Sequence, residues 1–259
     1  MLAPVLCYHR IGGPPELGVT RVTRSVFERQ MRSLAEAGWR TLTLSEFAAP
    51  RLTPHAPRTF FLTFDDGYAS LAESAYPVLE DLGFTATTFV ITDYVGRENA
   101  WDVRYTWRRL QHLDWSEIEG WQARGFGFAS HGARHRRLTW VDDVTAADEL
   151  GRARATLVER LGPDAGRAIA YPFGAVDARV QRLAQGAGYE LGFGGVRGDH
   201  GSPLHLPRVP VYMWDAGDTP FGLRDDALGK AGRFVAHVAN RCAVGTSVML
   251  RLRSRQSVG

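Results

Sequence analysis

The chain has 259 residues, a hydrophobic content of 44% and a formal net charge of +3. These values suit one soluble domain with a large core, and so small an excess of positive charge, spread along the chain, argues against nucleic acid as a partner. No apolar run approaches the roughly 18 to 20 residues that a membrane span needs, and two cysteines, Cys7 and Cys242, imply no disulfide framework.

The expected organisation is a single domain over residues 1–259, with a frayed basic tail at about 253–259. The start, "MLAPVLCYHR", lacks the basic and long apolar regions of an export signal. A cytoplasmic protein is therefore expected from the sequence as written, and an extracellular or periplasmic one if a signal peptide has been removed. The sequence gives no indication of the oligomeric state.

Apolar segments typical of buried strands alternate with helical patterns. In chain order, the predicted elements are a strand over Pro4–Tyr8, a helix over Ser25–Gly38, strands over Thr59–Phe64, Thr85–Ile91 and Phe126–Ala129, a helix over Val141–Gly162, a strand over Ala168–Tyr171, a helix over Asp177–Gly188, and strands over Glu190–Gly194, Arg208–Tyr212 and Ser247–Leu252. Ser25 is the expected N-cap of the first helix, with Glu28 completing a capping box. This alternation predicts parallel strands with helical crossovers, in either a (β/α) barrel or an open doubly wound sheet.

Reactive side chains follow several of the predicted strands. His9 follows the first, Asp65 and Asp66 follow the second, His131 follows another, and "YPFG", starting at Tyr171, ends a fourth. Both architectures bind ligands at the carboxyl ends of their strands. The sequence therefore predicts a functional site at that edge of the sheet.

The adjacent carboxylates of "TFDDG" indicate a metal site. A DG pair is also common in turns, but two neighbouring carboxylates repel unless a cation lies beside them. His131 and His135 are four residues apart, so on a helical turn both imidazoles would point to one side. Two imidazoles and one carboxylate form a three-ligand set with open positions for water, which is typical of catalytic rather than structural sites.

The motifs "TFDDG", "SHGARH" and "AYPFG" resemble, in order and spacing, those of the polysaccharide deacetylases of carbohydrate esterase family 4. The resemblance covers most of the chain and implies an α/β fold, a distorted (β/α)7 TIM-like barrel of mainly parallel strands in a single domain. It implies one divalent metal ion held by Asp66, His131 and His135, with Asp65 as the general base. Zinc is the first choice for this ligand set, and cobalt, nickel, iron or manganese are alternatives.

The third motif carries further implied roles. By resemblance, the backbone N–H of Phe173 holds the oxyanion of the tetrahedral intermediate. Tyr171 and Pro172 are expected to contact the substrate. Trp101, with Asp102 beside it, is a further expected sugar contact, because flat aromatic rings stack on pyranose faces and a carboxylate accepts hydrogen bonds from hydroxyls. The alternative is that these aromatic residues belong to the core.

The sequence departs from the family pattern at two positions. Ala170 stands where many members carry an arginine, and the last predicted strand offers Arg251 but no histidine. The start, "PVLCYHRIGG", is similar to a permuted subgroup, the biofilm poly-N-acetylglucosamine deacetylases, in which the catalytic histidine precedes the Asp pair. By that similarity, His9 is expected to be the general acid. The alternative is that His9 is a strand-end histidine that hydrogen-bonds to the backbone. Arg208 is expected to replace the missing arginine, with Arg10 as the alternative.

The function implied is that of a metal-dependent hydrolase that removes acetyl groups from N-acetylhexosamine units of a polysaccharide, an oligosaccharide or a carrier-linked glycan. The same site could act on O-acetyl esters or small non-peptide amides. A catalytically inactive carbohydrate-binding barrel is the alternative of a different class. The expected partner is the acetylated glycan itself.

Overall fold

The computed structural model describes residues 2–14, 19–49, 55–100, 109–196, 198–199 and 201–239. Within these ranges the strands are β1 (Val5–Tyr8), β2 (Arg10–Ile11), β3 (Arg21–Val22), β4 (Arg40–Thr41), β5 (Thr59–Phe64), β6 (Thr87–Val90), β7 (Gly127–Ser130), β8 (Ala168–Ala170), β9 (Leu191–Phe193) and β10 (Val209–Pro210). The helices are α1 (Arg24–Glu36), α2 (Leu44–Ala48), α3 (Ser70–Ser74), α4 (Tyr76–Asp81), α5 (Trp115–Ala123), α6 (Asp143–Leu161) and α7 (Ala178–Gly186), and residues 227–239 are helical as well.

Seven strands form the main path of one sheet in the order β10-β1-β5-β6-β7-β8-β9, with β4 paired to β5, and every pairing is parallel. The sheet curls, because a parallel bridge joins Phe193 of β9 to Leu206 and the chain then continues into β10, which pairs with β1. The predicted barrel of mainly parallel strands is thus confirmed.

Alternation along the strands sorts side chains between two layers. In β5, Phe60, Leu62 and Phe64 pack in the cluster under α1 and α4, whereas Phe61 packs inside the curl. The inner cluster takes its other members from alternate positions of neighbouring strands, namely Val5, Phe89, Ala129, Ala168, Ala170, Leu191 and Phe193. Residues that continue this inward register past the strand ends therefore face the mouth of the barrel.

The three predicted helices are present as α1, α6 and α7 and differ from the prediction at their ends. The N-cap of α1 is Thr23, whose hydroxyl accepts from the Val26 N–H, so the predicted Ser25 cap was wrong. Thr23 is extended at φ −69° and ψ 152°, as an N-cap residue typically is, whereas Ser25 already lies inside the helix. Asp142 and Asp177 cap α6 and α7.

The predicted strand Ser247–Leu252 and the tail at about 253–259 lie outside the described residues. The single-domain organisation over residues 1–259 therefore stays a prediction. Among the described helices, none combines the length and the apolar character needed to cross a membrane.

Candidate active site

Asp65 lies one step beyond β5 and continues the inward register of Phe61 and Thr63. Its two oxygens accept from the two terminal nitrogens of Arg208, each at 2.7 Å. Both side chains are buried. Arg208 precedes β10 and reaches Asp65 through the inside of the barrel, where its guanidinium lies 5.5 Å from the ring centre of Phe89 and 6.0 Å from that of Phe193.

The environment of Asp65 keeps it ionised. Burial alone would raise its pKa, but the charge of Arg208, followed by that of His131, outweighs burial and holds the pKa of Asp65 well below its ordinary value. The Cys7 thiol also donates to Asp65, at 3.5 Å. Burial raises the pKa of Cys7 well above its usual range, so this residue remains a thiol at neutral pH.

Asp66, His131 and His135 form a compact buried cluster. The Asp66 Oδ1 atom lies 3.4 Å from His131 Nε2 and 3.6 Å from His135 Nε2, and one potential ligand atom from each residue lies within 4.8 Å of the other two. His131 Nδ1 hydrogen-bonds the Ala170 carbonyl at 2.7 Å, which requires a proton on Nδ1 and directs Nε2 to the cluster. The donor set and its convergence fit a divalent cation.

The pKa shifts of these three side chains favour the binding of a cation between them. Burial opposes ionisation of Asp66, but a hydrogen bond with His131 and the charge of His135 lower its pKa. Burial likewise opposes charge on His131, yet Asp65 and Asp66 raise its pKa. Burial and the neighbouring His131 lower the pKa of His135 to about 3. His135 is therefore neutral at pH 7, as a metal ligand must be.

The two histidines do not share a helical turn as predicted. Residues 131–135 form an irregular loop after β7, in which Gly132 has φ 81° and His135 has φ 58°. A helix is incompatible with these left-handed residues. The loop reverses direction instead and returns His135 to Asp66.

Backbone strain is concentrated at the site. Among the described residues, four non-glycine residues have a positive φ: Arg58, Asp66 (71°), His135 (58°) and Phe173 (61°). Three of these four carry roles expected from the sequence. Left-handed backbone costs such residues about 1 to 3 kcal/mol each and persists where the surrounding structure imposes it.

His9 lies half-buried at the end of β1, in the inward register of Val5 and Cys7. One potential ligand atom each of Cys7, His9 and Asp65 lies within 4.8 Å of the other two. The predicted acid and the predicted base are therefore neighbours. Arg10, the alternative partner for Asp65, instead donates to the Pro14 carbonyl.

Phe173 contacts the cluster, since its ring centre lies 4.6 Å from that of His135. It is the second residue of a 3-10 turn, Pro172–Gly174, where a backbone N–H has no partner inside the turn. Pro172 is buried. The Tyr171 ring is fully buried against α6 and α7, so the expected contact of this ring with substrate is corrected to a packing role.

The expected sugar contacts Trp101 and Asp102 lie outside the described residues. Sequence reasoning missed another aromatic residue, Trp214, which is 38% exposed and packs on Tyr212 with ring centres 4.9 Å apart. These residues follow β10, whose ladder continues as the Val211 N–H donates to the Cys7 carbonyl. The turn that carries Trp214 therefore follows directly on the ladder between β10 and β1, the strand that His9 follows.

The turn that carries Trp214 is anchored in the core. Buried Gln30 donates to the Asp215 carbonyl at 2.7 Å and accepts from the Tyr8 hydroxyl at 2.9 Å. The Asp215 N–H donates to the Tyr212 carbonyl, which closes the turn. Met213, between the two aromatic residues, is 58% exposed. A rigid turn thus presents an apolar surface at the carboxyl edge of the barrel.

A curled parallel sheet with a buried carboxylate and imidazole cluster at its carboxyl edge is typical of barrel enzymes, whose active sites lie at that edge. Residues 53–192, more than half of the chain, match the family of polysaccharide deacetylases, and the chain belongs to that family. The resemblance read from the motifs is thereby confirmed, as is the expectation of a hydrolase.

Three relatives illustrate the range of the similarity. YxkH of Bacillus subtilis, whose own assignment as a polysaccharide deacetylase is provisional, is 28% identical over 81% of this chain and 72% of its own. The poly-beta-1,6-N-acetyl-D-glucosamine N-deacetylase of Staphylococcus aureus is 26% identical over 66% of this chain, which spans 60% of that protein. The structure of the Streptococcus pyogenes deacetylase PplD shares the fold, with a TM-score of 0.71, 23% identity, and coverage of 81% of this chain and 92% of PplD.

Proposed function

We propose that this protein is a metal-dependent deacetylase that hydrolyses the acetamido group of N-acetylhexosamine units in an oligosaccharide, a polysaccharide or a carrier-linked glycan. The observation that carries the proposal is the buried triad of Asp66, His131 and His135 beside an Asp65 that is paired with Arg208. A catalytically silent binding barrel would have no need of a separately held carboxylate next to a metal-ligand set.

Asp66, His131 and His135 would hold the cation. A divalent cation bound by such a set supplies Lewis-acid polarisation of an acyl oxygen and makes water more acidic. Zinc fits two imidazoles and one carboxylate best, and cobalt, nickel, iron and manganese fit as well.

Asp65 acts as the general base. It is ionised at neutral pH. Its Oδ2 accepts from both Arg208 and Cys7, whereas its Oδ1 accepts from Arg208 and keeps a lone pair. Oδ1 can therefore take the proton of the water that attacks the acetyl carbon. Arg208 fixes both oxygens of Asp65, so this lone pair keeps one direction.

The Phe173 N–H and His9 complete the reaction. The N–H stabilises the negative charge that develops on the acetyl oxygen. Protonated His9 gives its proton to the nitrogen as the carbon–nitrogen bond breaks, so that the sugar amine and acetate leave. His9 suits this task because an imidazole ring nitrogen can carry and donate a proton and because His9 lies beside Asp65.

A glycan substrate is supported by two observations. The similar Staphylococcus aureus enzymes are named for activity on poly-beta-1,6-N-acetyl-D-glucosamine. The exposed ring of Trp214 lies on an anchored turn after β10, the neighbour of the strand that His9 follows, and a flat aromatic surface suits the apolar face of a pyranose.

The test combines metal content with product release. Protein dialysed against a chelator is reloaded with Zn²⁺ or Co²⁺ and given β-1,6- and β-1,4-linked N-acetylglucosamine oligomers, an O-acetylated sugar and a small acetamide. Free acetate and free amine are measured separately. We expect metal-dependent release of both products from at least one oligomer. If acetate were released from the O-acetylated sugar alone, the protein would be an esterase and not the amidase proposed here.

Two neighbouring variants separate the roles of the carboxylates. Asp66→Asn should lose both bound metal and activity, whereas Asp65→Asn should keep the metal and lose activity. If Asp66→Asn kept metal and activity at the wild-type level, the proposed site would be wrong. No acetate release from any substrate, with sugar binding intact, would favour a binding barrel instead.

A further inference from the structure

Glu149 is a buried carboxylate that the proposed chemistry does not use. It belongs to the buried stripe of α6, with Ala146, Leu150 and Ala153 as neighbours on that face, and its side chain is fully buried. The adjacent Asp148 is 43% exposed. An unpaired buried carboxylate costs several kcal/mol, so its retention in this stripe requires specific partners.

Those partners lie in the loop between the two histidines of the triad. Glu149 Oε2 accepts the backbone N–H of Arg134 at 2.8 Å, and Oε1 accepts from Arg134 Nε at 2.5 Å. Arg136 Nε lies 3.6 Å from the same Oε1. Glu149 thus binds the Ala133–Arg134 peptide, one peptide before the one that joins Arg134 to His135, and it pairs with the arginine side chains on both sides of His135.

The opposite side of the loop is held by the chain that follows β6. The Thr92 N–H donates to the Gly132 carbonyl at 3.2 Å, and the Asp93 N–H donates to the Ala133 carbonyl at 3.0 Å. The loop therefore lies between this segment and Glu149 on α6. Asp93 and Glu149 bind the two ends of the same Ala133–Arg134 peptide group, and Thr92 binds the peptide group before it.

The loop needs such contacts because its conformation is costly. The φ of 58° at His135 belongs to the left-handed region, which disfavours a residue with a β-carbon by roughly 1 to 2 kcal/mol. If the Arg134 N–H lost its charged acceptor, the Ala133–Arg134 peptide would be less firmly held, and the Arg134–His135 peptide that follows it could rotate so that His135 relaxes towards an ordinary φ. That rotation would carry the imidazole away from Asp66.

We infer that Glu149 is a positioning residue for the metal site: it holds the Arg134 peptide so that His135 stays aligned with Asp66, and it thereby sets the affinity for the cation. The inference rests on the metal site of the proposed function and adds a residue outside its ligand set. Partners that orient metal ligands typically change metal affinity by 10- to 100-fold when they are removed. A similar loss is expected here.

The experiment compares Glu149→Gln with Asp148→Asn. Each substitution changes a carboxylate of α6 that binds Arg134 into the corresponding amide. Asp148, however, is exposed and contacts side chains alone, those of Arg134 and, at 4.0 Å, Arg152, in the part of the chain that the structure describes. Each full-length protein is freed of metal. Its dissociation constant for Zn²⁺ is then measured by competition with a chelating dye, the visible spectrum of its Co²⁺ form is recorded, and the thermal midpoint of the metal-free protein is determined.

We expect Glu149→Gln to weaken Zn²⁺ binding by 10- to 100-fold and to change the Co²⁺ spectrum, with Asp148→Asn within threefold of the wild type. Glu149→Asp, which keeps the charge but shortens the reach by one methylene group, provides a second variant if the amide variant does not fold. Wild-type affinity and spectrum in a folded Glu149 variant, with only a lower thermal midpoint, would overturn the inference and leave Glu149 a structural role.

The outcomes separate this inference from the proposed function. A wild-type protein that binds Zn²⁺ but releases no acetate would refute the proposed function alone, and the effect of Glu149 on affinity would still stand. A wild-type protein that binds no cation would refute both.

Discussion

The buried pair of Arg208 and Asp65 provides a quantitative test of the barrel interior. We consider Arg208→Met, which replaces the guanidinium by an apolar chain of similar length between the rings of Phe89 and Phe193. Methionine adapts to such irregular apolar space, so the substitution removes the charge with little change in packing.

The expected cost follows from the geometry. Arg208 donates twice to Asp65 at 2.7 Å, and both side chains are about 5% exposed or less. Removing one partner of such a pair leaves a buried carboxylate without its counter-charge, which costs about 3 to 5 kcal/mol of unfolding free energy. Asp65→Asn leaves the arginine unpaired and should have a cost of the same order. The double variant contains neither charge, so it should be more stable than either single variant.

Urea unfolding of the four proteins measures the coupling between the two residues. The exposed pair of Arg29 and Asp218, whose side chains are 48% and 70% exposed, is the matched control and should show a coupling of only about 0.2 to 1 kcal/mol. If the two substitutions at the buried pair were additive within about 0.5 kcal/mol, the reasoning about an uncompensated buried charge would be refuted.

Three further predictions concern the mouth of the barrel. His9→Gln should lower kcat by about 10²- to 10⁴-fold, because it removes the proton donor, without changing metal content; loss of metal would show a ligand role instead. Trp214→Ala should raise the KM for N-acetylglucosamine oligomers roughly tenfold, or about 1.4 kcal/mol, and an unchanged KM would contradict a stacking role. Burial raises the pKa of Asp215 from its ordinary 3.8 to about 6, so the folded state binds this proton more tightly than the unfolded state does. The resulting gain in unfolding free energy is complete below about pH 3.8 and is lost as the pH rises through about 6. The stability of Asp215→Asn relative to wild type should therefore increase by about 2 kcal/mol between about pH 4.5 and pH 7.5, whereas the exposed Asp218→Asn should show no such trend.

Much of the fold could be predicted because its signals are local. Thr59–Phe64 was predicted at its observed bounds, since a continuous apolar run flanked by turn residues is typical of a parallel strand buried on both faces. The motif residues were predictable for the same reason. Asp65 and His131 each follow such a strand, and the carboxyl ends of parallel strands converge.

The short elements had no such signal. Strand β4 has two residues, and α3 and α4 have five and six residues, so their hydrophobic periodicity is too brief to recognise. Tertiary packing holds them. Tyr76 of α4, for instance, packs against Trp121 and Phe126, which are distant in sequence.

The loop between His131 and His135 could not be predicted either, although its histidines were identified. A spacing of four residues suits a helical turn, but here a left-handed His135 returns the second imidazole to the site. The stabilising partner, Glu149, is 14 residues further on in the helical pattern of α6, where its position resembles an ordinary surface glutamate. Its burial follows from the way α6 packs on the loop.

Arg208 shows why the site cannot be separated from the core. In the inner layer, aromatic rings of Phe61, Phe89 and Phe193 fill the barrel below the mouth, and the arginine passes beside two of them to reach Asp65. A guanidinium can take this path because its planar face stacks on aromatic rings while its edge donates to a carboxylate. The third motif can therefore have Ala170 in place of an arginine, since the cation comes from another strand. It follows that a change in volume at Phe89 or Phe193 should displace the Arg208 fork and lower kcat, even though neither ring belongs to the proposed catalytic set.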